Sequence, residues 1–550
     1  MNKFWRQLPG NAGLFCLSVA LYVLAFPIGN FQGLPLLVFV ALIPLFFWIQ
    51  RIRWWEALPA GLVYGALVNG LGCYWLHNFA PPALFIGMFV AAIRFGPLFL
   101  LLRLTARRRF ALPAAIFFWA ATDIISSLWY LAYPYMTVPY ALYESGTALF
   151  IASLGGVSLV SVAIVTVNAF FYLGLRAWRP PASQPAGASA AWPPASNLLG
   201  QWRSLGPLLA GLTASLLFLL PPVSPPAATD GQSPLLLADT TLPPSPGRVR
   251  VALLQPDNPH PQRDYRDYGL CFSNIRRLSE PLKDAQLDLL VWHETAVVPA
   301  ISWYLRYRQP RELYEIVQAV DSYLSGWPAP VVLGNGWADP ANSQRPTRQN
   351  VAVMYQNGGE AQRYAKMKLV PFSEHFPYAR QFPALAVWLE EQFGHFWKAG
   401  VEYTIFDTGK IRFAAPVCFE DSFGQHFAAY GPVDSFVVLT QDSWAKADAM
   451  QLQHLSMSAF RAAESGRIVL RVANSGYTAG ILPGGRIEHR LPPFEPDSLI
   501  LDIATGYRQA TVFMAVGKHF DKAVFIIGTL LLLLCCLPES RSKLDKNPSV

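Results

Sequence analysis

The chain has 550 residues, of which 53% are hydrophobic, 14% aromatic and only 14% charged, with a mean hydropathy of +0.28. A soluble globular domain carries about 25% charge, so the composition excludes a wholly soluble protein and places much of the chain in lipid. The formal net charge of +8 does not make a nucleic-acid surface, because the basic residues sit beside apolar spans instead of forming one patch.

Apolar spans come first in chain order. They run over about Leu14–Ile28, Leu34–Ile49, Ala57–Leu76, Ala83–Leu102, Ala111–Leu131, Ala148–Leu175 and Leu205–Leu220, with an eighth at Ala523–Leu537. Most approach the ~20 residues a helix needs to cross the hydrocarbon core. Lys3 and Arg6 precede the first span, but another span follows at once without a small-residue cleavage site, so the first is expected to be retained. Arg51, Arg53, Arg103, Arg107 to Arg109, Arg176, Arg179, Arg203, Arg541, Lys543 and Lys546 all fall on the same side as Lys3 if there are eight spans. The loops 29–33, 77–82 and 132–147 carry no Lys or Arg. The positive-inside rule then puts the basic side in the cytoplasm and residues 223 to about 520 outside. Arg94 and Asp123 lie inside spans, where a charge needs a partner or a polar cavity.

This gives an expected organisation of four parts. Residues 1–222 form a membrane domain of seven helices, interrupted by a cytoplasmic Pro/Ala-rich linker at 180–197. Residues 223–246 are a linker, 247–520 an outer domain, and 521–550 an eighth helix with a cytoplasmic tail. The six cysteines, at 16, 73, 271, 418, 535 and 536, show neither a CxxC pair nor a His/Cys metal spacing. A Cys271–Cys418 bridge is conceivable only at the expense of Cys418 as a nucleophile. Neither a metal nor an organic cofactor is called for.

The outer domain alternates strand and helix signals. Val249–Gln255, Leu287–Trp292, Val331–Asn335, Val351–Gln356, Ile411–Val417, Phe436–Thr440 and Ile468–Val472 read as strands. Asn357-Gly358 and Pro483-Gly484-Gly485 read as hairpin turns. Ala449 to Ser465 has a helical rhythm, on which His454 reads as a packed histidine and not a ligand. The order suggests an α/β sandwich.

Three stretches carry chemistry. Ala414-Ala-Pro-Val-Cys-Phe-Glu-Asp421 ends a strand on Cys418, with a helix expected from Ser422 to Tyr430. Helix N-terminal N–H groups near that corner would favour a thiolate. Val291-Trp-His-Glu-Thr-Ala296 puts Glu294 just past an apolar strand, and Tyr364-Ala-Lys-Met-Lys-Leu-Val-Pro-Phe-Ser-Glu374 supplies Lys366, Lys368 and Glu374. A cysteine nucleophile, a carboxylate base and an ammonium for the oxyanion make a complete acyl-transfer set.

The Glu–Lys–Cys order and its surroundings resemble the nitrilase (carbon–nitrogen hydrolase) superfamily. With the apolar spans, nearly the whole chain resembles the apolipoprotein N-acyltransferase family of Gram-negative bacteria. Trp292-His-Glu-Thr-Ala296, Lys366-Met-Lys-Leu-Val-Pro-Phe-Ser-Glu374, Cys418-Phe-Glu420 and Asp442-Ser-Trp444 carry the likeness. Gln453-His-Leu-Ser-Met457, Arg461-Ala-Ala-Glu464, Arg471-Val-Ala-Asn-Ser-Gly476, Gly72-Cys-Tyr-Trp75 and Asn168-Ala169 extend it. The resemblance implies an αββα sandwich on a bundle of about eight membrane helices. It makes Glu294 the general base, Lys366 the oxyanion lysine and Cys418 the nucleophile, with Glu374, Phe419 and Glu420 supporting and Trp444 in a loop at the substrate entrance. Lys366 is preferred over Lys368 because the family lysine lies eight residues before the Glu of its Leu-Val-Pro-Phe-Gly-Glu motif.

The implied reaction is N-acylation of the diacylglyceryl-modified N-terminal cysteine of lipoproteins. A phospholipid would donate the chain through a Cys418 thioester, at the periplasmic face of a bacterial inner membrane, in a monomer. The chain departs from the family at Gln441-Asp-Ser-Trp-Ala-Lys446 (usually Asn-Asp-Ser-Trp-Phe-Gly), at Ser373 (usually Gly), at Phe419 (usually Tyr) and at Asp123-Ile-Ile-Ser126, which lacks the usual arginine. These bear on donor choice, acceptor docking and the entrance, and leave the core chemistry untouched. Two other classes use the same features. A membrane-tethered amidohydrolase would put water in place of the amine, and a non-catalytic lipoprotein-binding scaffold would not need Glu294, Lys366 and Cys418 intact.

Overall fold

The computed structural model describes residues 11–537 apart from 129, 179–194, 223–226, 229, 231, 242–244, 260–263, 342–346, 394–395 and 507. The basic residues expected at Lys3, Arg6, Arg179, Arg541, Lys543 and Lys546, and the cytoplasmic linker up to Pro194, lie outside these residues.

Helices occupy each apolar stretch: Asn11–Leu24, Ile43–Ile49, Trp54–Gly72, Pro81–Thr105, Ala111–Ile125, Gly146–Ala177, Ala195–Leu217 and Val512–Cys536. Among the described residues three are long and apolar enough to cross a membrane, at Pro81–Thr105, Gly146–Ala177 and His519–Cys536. The stretch read as one span from Leu34 is instead a 3-10 turn, Pro35–Phe39, followed by the short helix Ile43–Ile49, each with a proline in its first turn. The helix Gly146–Ala177 is broken at Gly155 and Gly156 (φ +72°), where the carboxylate of Glu464 accepts the freed N–H of Val157 at 3.0 Å. The two charges expected inside spans have polar partners. Arg94 Nη1 donates to the Tyr133 carbonyl at 3.3 Å, and Ser161 Oγ donates to Asp123 Oδ2 at 2.7 Å.

The other half is built, among the described residues, from thirteen strands: β1 (Leu235–Leu237), β2 (Arg248–Gln255), β3 (Leu289–Val291), β4 (Val331–Ala338), β5 (Arg348–Gln356), β6 (Gly359–Ala365), β7 (Phe406–Asp407), β8 (Arg412–Ala414), β9 (Ser435–Thr440), β10 (Ile468–Ala473), β11 (Ala479–Ile481), β12 (Ile487–Arg490) and β13 (Asp497–Ala504). They make two sheets, in the orders β1-β13-β2-β3-β4-β5-β6 and β12-β11-β10-β9-β8-β7. Strand periodicity divides each strand between two cores. Val251, Leu253, Leu289, Val291 and Val332 face the second sheet and meet Phe436, Val438, Ile468 and Leu470. Their neighbours Ala252, Leu254, Leu290 and Leu333 face outward and pack on Ile275, Val317, Val320 and Leu324 of the covering helices. Asn357 and Gly358, both at positive φ, close the β5–β6 hairpin.

The helix Asp448–Ser465 joins the halves, and every residue from Ala449 to Ser465 is buried. Leu452, Leu455 and Ala462 enter the sandwich core, while Met450, Met457, Phe460 and Ala463 enter the bundle core. Gln453 Nε2 donates to the carbonyls of Pro27 and Gly72, at 3.1 and 3.0 Å.

Several sequence expectations need correction. The stretch 223–246 is not linker throughout, since β1 pairs antiparallel with β13. The strand expected over Ile411–Val417 is regular only at Arg412–Ala414, because Pro416 removes a ladder donor, and Val417 rejoins β9 through a single bridge to Leu439. The helix expected from Ser422 to Tyr430 is a 3-10 turn, Cys418–Ser422, then a six-residue helix, Gly424–Ala429.

Candidate active site

Past Pro416 the chain turns on Cys418, whose φ of +49° lies in the left-handed region that residues with a Cβ rarely adopt. One buried carboxylate holds this turn. Glu420 Oε2 accepts the N–H of Val417 at 2.8 Å, and its Oε1 accepts from Met367 N at 2.7 Å, Lys368 N at 3.0 Å and Tyr364 Oη at 2.8 Å. Glu420 therefore ties the Cys418 turn to the end of β6, where Lys366 begins the next segment. Burial alone would raise its pKa; His426 and the backbone donors outweigh burial and bring it below the ordinary carboxylate value.

Lys366 (1% exposed) and Glu294 (4% exposed) meet inside the sandwich. Lys366 Nζ lies 3.1 Å from Glu294 Oε1 and 2.9 Å from Glu374 Oε1. Glu374 Oε2 accepts the N–H of Val370 at 2.8 Å, closing the loop that carries it. Glu294 also accepts from Asn350 Nδ2 at 2.8 Å and from the backbone N–H of Gln441 at 2.9 Å. Cys418 lines the same cavity as Glu294 and Lys366. Lys368 stays out of this cluster, with its ammonium 5.9 Å from the Phe423 ring centroid.

The electrostatics follow from burial. Desolvation would lower the Lys366 pKa, but two adjacent carboxylates reverse this and hold it protonated. Burial raises Glu294 above the ordinary carboxylate value, opposed by Lys366 and reinforced by Glu374. Burial and the negative charge of Glu294 push the Cys418 thiol well up, against the pull of Lys366. The expectation of a helix-stabilised thiolate is therefore wrong in its cause. What starts at Cys418 is a 3-10 turn and not an α-helix, and burial beside the Glu294 carboxylate favours the neutral thiol.

Such a pair needs Glu294 ionised, so acyl-transfer rate should fall on the acid side at a pH above the ordinary carboxylate pKa. Asn350 donates to the ionised form; Asn350→Leu removes that stabilisation, and the acid limb should move up by about one pH unit. An unmoved limb in the pH–rate profile would remove Asn350 from the account.

Gly334 on β4 lies directly behind Glu294. A Cβ there would sit 2.3 Å from Thr295 N and 2.5 Å from Glu294 Cα. Gly334→Ala should displace Glu294, destabilise the fold by about 1–3 kcal/mol and lower turnover. Unchanged turnover with a normal melting curve would show that the position tolerates a methyl group.

Phe419 packs on Phe423 and Ala132. Trp444 packs on Trp75 and Phe79 of the bundle, with centroids 5.6 and 5.2 Å apart. The loop bearing Trp444 is fixed from below by a buried network. Arg471 lies 2.9 Å from Asp421 and 2.6 Å from Asp442, and His454 Nδ1 lies 3.1 Å from Asp442. His454 is thus a packed histidine, as its helical setting implies. Cys271 and Cys418 are both free.

A cavity of about 1060 Å³ spans the two halves. It is lined by Trp75, Phe79, Ile86 and Val90 of the bundle and by Glu294, Lys366, Glu374, Cys418, Phe419 and Trp444. Sequence reasoning missed Asn350, the Gln441 N–H and Tyr130. Tyr130 Oη accepts from Phe372 N at 3.1 Å and donates to the His375 carbonyl at 3.0 Å, which anchors the Glu374 loop to the bundle.

Two family profiles match this chain. One, described as the apolipoprotein N-acyltransferase N-terminal domain, matches residues 18–170, and the other, carbon-nitrogen hydrolase, matches residues 250–512. Apolipoprotein N-acyltransferase 1 of Treponema pallidum (strain Nichols) is 32% identical over 565 residues, covering 98% of each chain. The protein of the same name from Treponema denticola is 28% identical over 96% of each chain. Among solved structures, an amidase of the nitrilase superfamily from Nesterenkonia AN1 aligns with 50% of this chain and 95% of its own, at 16% identity and a TM-score of 0.35. With both domains matched and a full-length relative at this identity, the chain belongs to the apolipoprotein N-acyltransferase family, membrane enzymes that transfer acyl groups.

Proposed function

We propose that this acyltransferase takes an acyl chain from a phospholipid and delivers it, through a Cys418 thioester, to the α-amine of a diacylglyceryl-modified N-terminal cysteine on lipoproteins. Glu294 takes the thiol proton as sulfur attacks the ester carbonyl, and the Lys366 ammonium meets the developing oxyanion. Collapse expels the lysophospholipid alkoxide, which receives the proton from Glu294. The acceptor amine then attacks the thioester, Glu294 takes its proton, and the thiolate leaves as an amide forms. Glu374 holds Lys366 and Glu420 holds the nucleophile turn, while Phe419 and Trp444 shape the lipid-side wall.

The observation that carries this proposal is the cavity itself, in which the Glu294–Lys366–Cys418 cluster opens toward bundle helices and not only to water. Two lipid-anchored substrates meet at raised effective concentration there, and an apolar wall protects a thioester from hydrolysis. In this proposal eight helices span the inner membrane of a bacterium, and the sandwich (247–520) lies on the periplasmic side. The one-sided distribution of Arg51, Arg53, Arg103, Arg107 to Arg109 and Arg176 supports that orientation. Both walls of the cavity come from one chain, which fits a monomer.

The acceptor half is tested by adding a diacylated lipopeptide to acyl-loaded enzyme. Discharge into a triacylated peptide is expected, and discharge only to free fatty acid would identify a hydrolase instead.

A further inference from the structure

We propose that Lys446 reads the headgroup of the acyl donor, its ammonium meeting the phosphodiester at the membrane-side rim of the cavity. This rests on the phospholipid-donor reading above and adds to it the residue that recognises the phosphate.

Three observations converge on this lysine. It is exposed and lines the cavity that holds Cys418, yet among the described residues it forms no ion pair. By contrast, Lys366, the cation deeper in the cavity, is consumed by Glu294 and Glu374. The loop that presents Lys446 is fixed to the bundle and does not swing freely. Asn78 Nδ2 donates to the carbonyl of Ala445 at 2.6 Å, and Trp444 is wedged against Phe79.

Asn78 and Phe79 belong to the short helix Leu76–Phe79 between the helices Trp54–Gly72 and Pro81–Thr105, at the end of those helices that meets the sandwich. That is the depth at which lipid headgroups lie around a spanning bundle. Finally, the position is one where this sequence carries a charge and the resembling family pattern carries glycine. The backbone keeps the glycine-like geometry, with φ +47° at Lys446.

The cavity also bears Glu390 and Glu391, on the helix Pro383–Phe393, and Arg348 on β5. Arg348 stands on β5 and not on the loop that Asn78 and Phe79 tie to the bundle, and the two glutamates cannot attract a phosphate. Lys446 is therefore the cation placed where the headgroup of a membrane lipid enters.

The test compares loading of Cys418 from two donors with identical acyl chains in mixed micelles, followed by intact mass. Phosphatidylglycerol carries the phosphodiester, and monogalactosyl diacylglycerol lacks it. A basic residue near an anionic lipid surface is worth about fivefold in affinity, so wild type should favour phosphatidylglycerol by at least that factor. Lys446→Gly, which suits the backbone, should bring the ratio near one. Lys446→Glu should take it below one, and Lys446→Arg should preserve it. If the Gly and Glu variants keep the wild-type ratio, Lys446 is only a solvated side chain and the proposal fails. If neither donor loads the wild-type enzyme, the phospholipid-donor reading fails instead.

Discussion

Glu294→Gln is expected to slow acyl loading of Cys418 by about a thousandfold while leaving the fold in place. Glutamine has nearly the shape of glutamate and keeps one oxygen for Asn350 and Lys366, which now lie 2.8 and 3.1 Å from Oε1. It cannot accept the thiol proton. Burial, the larger of the two causes that hold the thiol up, remains when the charge of Glu294 is gone, so no thiolate reservoir replaces the lost base. The amide nitrogen would also face the Gln441 N–H that donates to Oε2 at 2.9 Å, a donor–donor conflict that should appear as a small loss of thermal stability. Single-turnover loading measured beside a melting curve separates the two effects. A variant that loads within tenfold of wild type would mean that another group takes the proton.

The second large effect concerns stability. Arg471 is fully buried and bridges Asp421 and Asp442, both of which are also fully buried. Arg471→Leu would leave two carboxylates without their cation in a low-dielectric interior, a loss of about 3–5 kcal/mol. Burial alone would raise the Asp442 pKa, but His454 and Arg471 reverse this and hold it below the ordinary carboxylate range. The same network supports the loop from which Gln441 donates to Glu294 and Trp444 meets the bundle, so loading should fall along with the melting temperature. Lys410→Ala is the control. Lys410 is 67% exposed where it pairs with Asp288, and a pair of that kind contributes less than about 1 kcal/mol. If Arg471→Leu melted like Lys410→Ala, the buried network would not be what holds the loop.

The candidate site was legible in the sequence because it is built from side chains of rare type at the ends of apolar runs. Glu294, Lys366 and Cys418 were each recognisable that way, and the structure brings all three together. Asn350 was not recognisable, because an asparagine within a strand looks like any polar residue at a sheet edge. The Gln441 contribution is a backbone N–H, which the residue type does not announce.

Strand β1 hid in a Pro-rich stretch and is only three residues long, so only its pairing with β13 reveals it. Strand β6 reads Gly359-Glu-Ala-Gln-Arg-Tyr-Ala365, a polar edge strand whose buried face shows only at Tyr364. In the membrane half, the apolar stretches located the helices. The break at Gly155–Gly156 went unread because its cap, Glu464, arrives from the other half of the chain. The state of the thiol was misread for a related reason. Proximity to a turn suggests stabilising N–H groups, whereas the side chain is governed by burial and a neighbouring carboxylate that sequence order does not place.

The central claim is that Cys418 carries the acyl chain. Its most direct test is the intact mass of detergent-purified protein after incubation with a phospholipid of defined chain length, beside a Cys418→Ser variant. The account predicts a hydroxylamine-labile gain of one acyl chain in the wild type and none in the variant. No gain from any phospholipid, or a gain that persists in Cys418→Ser, would contradict it.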